Sequence, residues 1–212
     1  MVIAIDGPAG AGKSTVARGV ARALAFTYLD SGAMYRAVAL AALERGIELD
    51  DGERLGELAW SLDIDFAGGA IRLDGKPVEG RIRSPEVTIA ASRVSVHPQV
   101  RQALVKRQRE LIASGNYVAE GRDIGTVVSP NSPLKVFLTA DEGERARRRA
   151  ADSGESVDEV REAMRDRDKR DQQRADSPLR LAEGAVEIDT TDRTPDEVID
   201  QIAIEARQRG IA

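Results

Sequence analysis

The chain of 212 residues contains no cysteine and a single histidine. The first absence excludes disulfides, thiolate metal sites and cysteine nucleophiles, and the second excludes a multi-histidine metal centre. The one histidine, His97, stands directly before Pro98 at an expected helix start and reads as a capping or surface residue. Long apolar runs are missing too. The longest, Ala37 to Leu43, is far short of the ~20 residues that a membrane-spanning helix needs. The N-terminus reaches Asp6 without a basic region or an apolar leader stretch, so a cytoplasmic protein with no membrane partner is expected. Nor is there a cationic excess: 31 Lys and Arg stand against 36 Asp and Glu, a net charge of −5. Overall charge therefore does not draw the chain to nucleic acid, and no such partner is expected, although a local cationic pocket remains compatible with it. What is present, 42% hydrophobic and 32% charged residues, is globular in character. The length suits one core with an insertion better than two equal domains.

Val2 to Asp6 is an apolar run ending in an acid, the pattern of a central parallel strand. Apolar Val16, Ala17, Val20, Ala21 and Leu24 then recur at helical spacing from Lys13 onward. A short strand at Thr27–Leu29 and a helix from Ser31 to Ala42 follow. Between Leu62 and Val78 the pattern changes to alternation, with a turn at Gly68-Gly69 and a hairpin signal at Asp74-Gly75. Helices are expected near 85–93, 98–113, 141–151, 156–174 and 195–208, the last capped by Thr194. Strands are expected at 117–119, 134–138 and 186–188. Strands separated by helices imply a parallel sheet covered on both faces, and the antiparallel segment reads as an insertion. Trp60, Phe66 and Phe137 occupy apolar positions and read as core.

Gly7-Pro8-Ala9-Gly10-Ala11-Gly12-Lys13-Ser14 matches G-x-x-x-x-G-K-[ST] in full, between a strand and a helix. Glycines let backbone N–H groups converge on phosphate oxygens, and the helix start adds its positive end. Lys13 supplies a mobile cation for the terminal phosphates, and the Ser14 hydroxyl suits Mg²⁺. The run through Thr15 therefore predicts nucleoside triphosphate binding, without saying what receives the phosphoryl group. An Asn-Lys-x-Asp guanine reader is absent, as is a long apolar strand ending in Asp-Glu, which argues against a GTPase switch and a remodelling ATPase. Arginines are spread outside the loop instead: Arg36, Arg122 beside Asp123, and Arg167, Arg170 and Arg174 with Asp171 at helical spacing. Positioned guanidiniums are what phosphoryl transfer between two anionic nucleotides requires. A nucleotide-dependent switch and a small-metabolite kinase remain the alternatives. The Arg145–Arg149 run reads as a solvated helix face, part of which flanks the triphosphate.

Six segments together resemble the bacterial cytidylate kinases, a family of nucleoside monophosphate kinases. They are Gly7–Thr15, Leu29–Arg36, the 62–80 insertion, Ala90–Ser92, Glu120–Val128, and Arg167–Arg174 followed by Ser177-Pro178-Leu179. The resemblance implies an α/β fold: a P-loop parallel sheet flanked by helices, a monophosphate-binding insertion with a small antiparallel sheet, and a mobile helical lid. It divides the chain into a core at about 1–30, 96–150 and 179–212, an insertion at about 31–95 and a lid at about 151–178. It implies transfer from ATP to CMP or dCMP, with Mg²⁺, by a monomer. ATP would lie on Gly7, Pro8, Ala9, Gly10, Ala11, Gly12, Lys13, Ser14 and Thr15. By matched position, Ser31 would contact the acceptor ribose, and Arg36, Arg122 and Arg174 its phosphate, with Tyr35 and Gly121 alongside. Ser92, Arg101 and Asp123 would read cytosine. Arg167 and Asp171 would reach the sugar from the lid, with Arg170 nearest the transferring group and Glu120 orienting Mg²⁺-bound water. Lys13, Arg122, Arg167, Arg170 and Arg174 would be the catalytic cations. A carboxylate such as Asp123 suits the N4 amine of cytosine and repels the O4 of uracil.

Overall fold

The computed structural model describes residues 1–67 and 69–211, with all of their side chains except those of 152 and 153. Its centre is β1 (Val2–Asp6), five residues with no exposed member. A loop leads from it to α1 (Lys13–Ala23), then β2 (Thr27–Asp30), α2 (Ser31–Glu44) and α3 (Gly52–Ser61). Three short strands follow: β3 (Ile64–Ala67), β4 (Ala70–Leu73) and β5 (Lys76–Pro77). After α4 (Pro85–Val94) and α5 (Pro98–Ile112) come β6 (Tyr117–Gly121), a π-helical turn (Ile124–Val128) and β7 (Leu134–Thr139). The chain closes with α6 (Glu142–Ser153), α7 (Val157–Gln173), β8 (Val186–Asp189) and α8 (Pro195–Gln208).

Two compact units emerge, one of Met1–Leu29 with Ser114–Ala212 and one of Asp30–Ala113. The first contains the sheet, ordered β2-β6-β1-β7-β8. Pairing is parallel at β1–β6, β1–β7 and β7–β8, as strands separated by helices imply. Ile3, Ile5, Val118, Leu134, Val136 and Leu138 meet Val16, Ala17 and Val20 of α1 and Val198 and Ile202 of α8 in one core. Thr194 caps α8 in a reciprocal box with Glu197. The order places β1 between β6 and β7, so the loops after all three open at one carboxyl edge, where open parallel sheets bind ligands.

The second unit holds the three-stranded antiparallel sheet, ordered β3-β4-β5. Asp74 and Gly75 both take positive φ, 50° and 73°, the two-residue turn that the Asp-Gly pair predicts. The Gly68 half of the other expected turn lies outside the described residues. The compact unit runs on past the expected edge near 95 and includes α5, which packs on α3 so closely that a Cβ on Gly56 would lie 2.5 Å from Gln99 Cβ. Helix α3 itself was not legible, because Gly52 and Gly56 dilute its pattern; its cap is Asp51, which accepts from Arg54 N. Trp60 corrects the core reading: it is 53% exposed and lies under the Lys106 ammonium, 5.1 Å from the ring centre. Phe66 and Phe137 are half-buried. His97 holds the N-cap position of α5 but does not cap it. Its Nε2 lies 2.9 Å from the Leu49 carbonyl oxygen instead.

Because Ile5 is fully buried in the central strand, Ile5→Ala is expected to lower unfolding free energy by about 2–5 kcal/mol. Urea denaturation followed by far-UV circular dichroism checks this.

Candidate active site

The loop after β1 turns on glycines that no other residue could replace cheaply. Gly7 has φ 149°, and a Cβ there would lie 2.2 Å from the Leu138 carbonyl oxygen. Gly10 (φ 74°) and Gly12 (φ 82°) are left-handed, and Gly12 is the N-cap of α1. Ala11 is fully buried, Lys13 nearly so, and Ser14 and Thr15 at the helix start are exposed. Lys13 Nζ donates to the Pro8 carbonyl at 2.7 Å, folding the lysine back over its own loop. Burial, above all, and then Arg122 and Arg167 lower the Lys13 pKa to about 7, against the opposing pull of Glu120 and Asp168. A lysine pressed this way is a cation waiting for an anion.

Two carboxylates of α7 face inward. Asp171 accepts from Arg122 Nε at 3.0 Å and from Arg174 Nη1 at 3.4 Å. Burial pushes its pKa up, but Arg122, Arg167 and Arg174 outweigh that and hold it below the usual carboxylate range. Arg174, just past the helix end, also donates twice to the Ser177 carbonyl, at 3.2 and 2.7 Å. Asp168 accepts from Ala9 N at 3.2 Å and pairs with Arg145, whose Nη1 also reaches the Ala9 carbonyl at 3.0 Å. Thus α6 and α7 grip the phosphate loop. Arg170 is not part of this group: it is exposed, and its Nε bonds the Asp166 carbonyl at 3.1 Å.

Glu120, near the end of β6, is buried and accepts from the Tyr28 hydroxyl. Gly121 follows it in register with Asp6, and Arg122 and the buried Asp123 come next. Asp6 is itself buried, and its pKa rises to about 6. Desolvation is the main cause; the Asp123 charge adds to it, while the Gly125 and Ile124 amides and the Lys13 charge oppose it.

In the second unit, the Asp30 carboxylate caps α2 through Ala33 N at 2.8 Å and takes Arg36 Nη2 at 3.0 Å. Ser31 beside it is buried. The Nε of Arg36 and the Oγ of Ser92 are buried without a hydrogen-bond partner among the described residues, which a bound polar ligand would supply. Arg101 is 1% exposed, donates to the Ser95 carbonyl at 3.3 Å, and stacks its guanidinium 5.4 Å from the Tyr35 ring centre.

Sequence reasoning missed Asp168, Arg145, Asp30 and Tyr28 as supports. One signal was available. Asp168 continues the buried stripe of Val160 and Met164 at four-residue steps, and a carboxylate on an apolar stripe needs a partner. Arg145 lay in a run that looked solvated, yet its side chain is 12% exposed.

Since Lys13 loses its proton near pH 7 in this environment, a polyphosphate that restores its charge must draw a proton from solution. ADP binding at pH 8 is expected to take up close to one proton, and Lys13→Met to abolish the uptake. Calorimetry in buffers of different ionisation enthalpy measures it.

The model of the family described as cytidylate kinase matches residues 3–208. A cytidylate kinase of Caldanaerobacter subterraneus subsp. tengcongensis is 50% identical over 205 residues, 94% of this chain and 92% of that protein. A bifunctional pantoate ligase/cytidylate kinase of Synechococcus is 50% identical over 98% of this chain, which spans 40% of that longer protein. Among solved structures, a gluconokinase from Sinorhizobium meliloti shares the fold at 15% identity, with a TM-score of 0.55 over 99% of this chain and 93% of its own. With its phosphate loop, its Glu-Gly-Arg-Asp segment and its arginine-bearing α7 all in place, the chain belongs to the cytidylate kinase family.

Proposed function

We propose that this chain transfers the γ-phosphoryl group of ATP to CMP or dCMP, giving ADP and CDP or dCDP. The observation that carries the reading is the crowding of Lys13, Arg122 and Arg167, close enough to depress the lysine's own pKa. Like charges gathered at such a cost fit a guest with several negative charges. The amides of Gly7 to Thr15, with Lys13, hold the ATP phosphates. In the sheet-bearing unit, Gly121, Arg122 and Arg174 serve the acceptor phosphate, Arg167 and Asp171 its sugar, and Asp123 the base amino group. In the other unit, Ser31 and Tyr35 serve the nucleoside, Arg36 the phosphate, and Ser92 and Arg101 the base.

An oxygen of the acceptor phosphate attacks the γ-phosphorus, and the bond to the β-bridging oxygen breaks with its electron pair leaving on ADP. The nucleophile is already anionic, so no strong base is required. Lys13, Arg122, Arg167 and Arg174 neutralise the charge that collects between donor and acceptor, and Arg170 joins them when α7 carries it inward. Such transfer generally uses Mg²⁺, which would supply further charge neutralisation. The Ser14 hydroxyl would hold it directly and the Glu120 carboxylate through water, both oxygen donors suited to a hard cation. Among the described residues no group of three or more His, Cys, Asp or Glu could hold a metal. No helix among them is long and apolar enough to cross a membrane. The enzyme acts as a monomer in the cytoplasm.

With ATP and Mg²⁺, a coupled assay of ADP release is expected to show CMP and dCMP far ahead of UMP, AMP and GMP. A preference for AMP or shikimate would contradict the reading. Lys13→Ala is expected to lower kcat by about 10²–10³-fold in the same assay, with the fold intact by circular dichroism.

A further inference from the structure

Ala9, inside the phosphate loop, has both of its backbone polar groups held by side chains of α6 and α7. Its N–H donates to Asp168 Oδ1 of α7 at 3.2 Å, and its carbonyl accepts from Arg145 Nη1 of α6 at 3.0 Å. The two side chains also close on each other, since the same Arg145 nitrogen pairs with Asp168 Oδ2. Arg145 Nε is anchored in turn on the Ala140 carbonyl at 3.2 Å. Each of the paired side chains is only 12% exposed, so water competes little for these bonds. Three residues further along α7, Asp171 accepts from Arg122 Nε at 3.0 Å, at the end of β6. Residues three apart are neighbours on a helix surface, and α7 is unbroken between the two carboxylates. One turn of α7 therefore grips the donor loop with one aspartate and an acceptor arginine with the next.

We propose that Asp168, clasped by Arg145, is a positioning residue that couples the two nucleotide sites, so that a nucleotide on the phosphate loop tightens the binding of CMP. The inference rests on the reading of the loop as the ATP site and of Arg122, Arg167 and Asp171 as acceptor groups. Phosphates held by the loop keep Ala9 still, and the clasp passes that restraint to α7. Asp171 and Arg122 are then held as well, and CMP meets groups that are already ordered. Linkage makes the effect reciprocal: CMP tightens the loop nucleotide by the same factor. The clasp is separate from the packing beside it. Ala146, Ala150, Val160 and Met164 form a small core against which Ala9 rests, and this apolar seat remains when the Asp168 carboxylate is removed. Losing that carboxylate also takes one opposing charge from Lys13, which by itself alters affinity for phosphate on the loop. The coupling factor, a ratio of two dissociation constants for one ligand in one protein, divides that change out.

The test is calorimetric titration of the full chain with CMP, without and with saturating ADP. The unmodified protein is compared with Asp168→Ala, Arg145→Ala and the double variant. ADP fills the loop but carries no γ-phosphoryl group to transfer. In the unmodified chain ADP is expected to tighten CMP about tenfold, an ordinary strength for coupling between two sites. Asp168→Ala and Arg145→Ala are each expected to bring that factor below about threefold. The double variant is expected to fall no further, since both changes open the same clasp. Partial misfolding lowers the fraction of chains that bind, and hence the stoichiometry, but leaves the factor unmoved. A factor near one in the unmodified chain, or an undiminished one in both single variants, overturns the clasp, while CMP binding leaves the functional reading standing. Failure of CMP to bind with or without ADP overturns that reading and this inference with it. If neither variant folds, amide hydrogen exchange on the unmodified chain decides. ADP alone is expected to slow exchange in α7 around Asp168 and Asp171, and exchange there that ADP leaves unchanged overturns the proposal.

Discussion

Burying an ammonium among guanidiniums is unfavourable, and this protein does so beside its phosphate loop. Lys13 is 7% exposed, and both burial and the nearby arginines disfavour its charge. Such a cluster is tolerable only when carboxylates compensate it or an anion completes it. Asp168 and Asp171 provide the first remedy, each accepting a hydrogen bond from an arginine and each carried by α7. Substrate phosphates provide the second. The same helix thus carries both the carboxylates that quiet the cations and the arginines that add to them, so a displacement of α7 would change the charge balance at the loop.

Topology supplies the rest. A loop can bring its amides to one point only if it leaves a rigid strand and enters a rigid helix. β1 is buried along its whole length and paired on both sides. The neighbouring strands then deliver their own carboxyl ends to the same edge, β6 with Glu120, Arg122 and Asp123. Chemistry concentrates where the sheet's strand order reverses, because that is where loops diverge and leave room.

Legibility followed the same division. Segments ruled by local rules were readable: the apolar β1, the Gly-Lys-Ser loop, the Asp74-Gly75 turn, and the Thr194 cap. The π-helical turn was not, since one turn of β-branched residues has no period to detect and its cap, Asp6, lies far away in sequence. Spacing alone puts Arg167, Arg170, Asp171 and Arg174 on one helical face, but α7 ends at Gln173 and Arg174 stands past its end. Tertiary packing chose Val160, Met164, Asp168 and Asp171 for the inside and left Arg170 in water. Ser92 and Arg101 rested on likeness alone at the sequence level. Their burial, with an orphaned Ser92 hydroxyl, gives them a physical reason that no spacing rule supplies.

The central claim is that these cations are gathered for the joined phosphates of two nucleotides rather than for one. Adenosine linked to cytidine through five phosphates tests it directly, by calorimetric titration against ATP and CMP separately. The account predicts that the linked compound binds at least about 10²-fold more tightly than ATP, because its second half binds at high effective concentration. Equal affinity for the linked compound and ATP would contradict it.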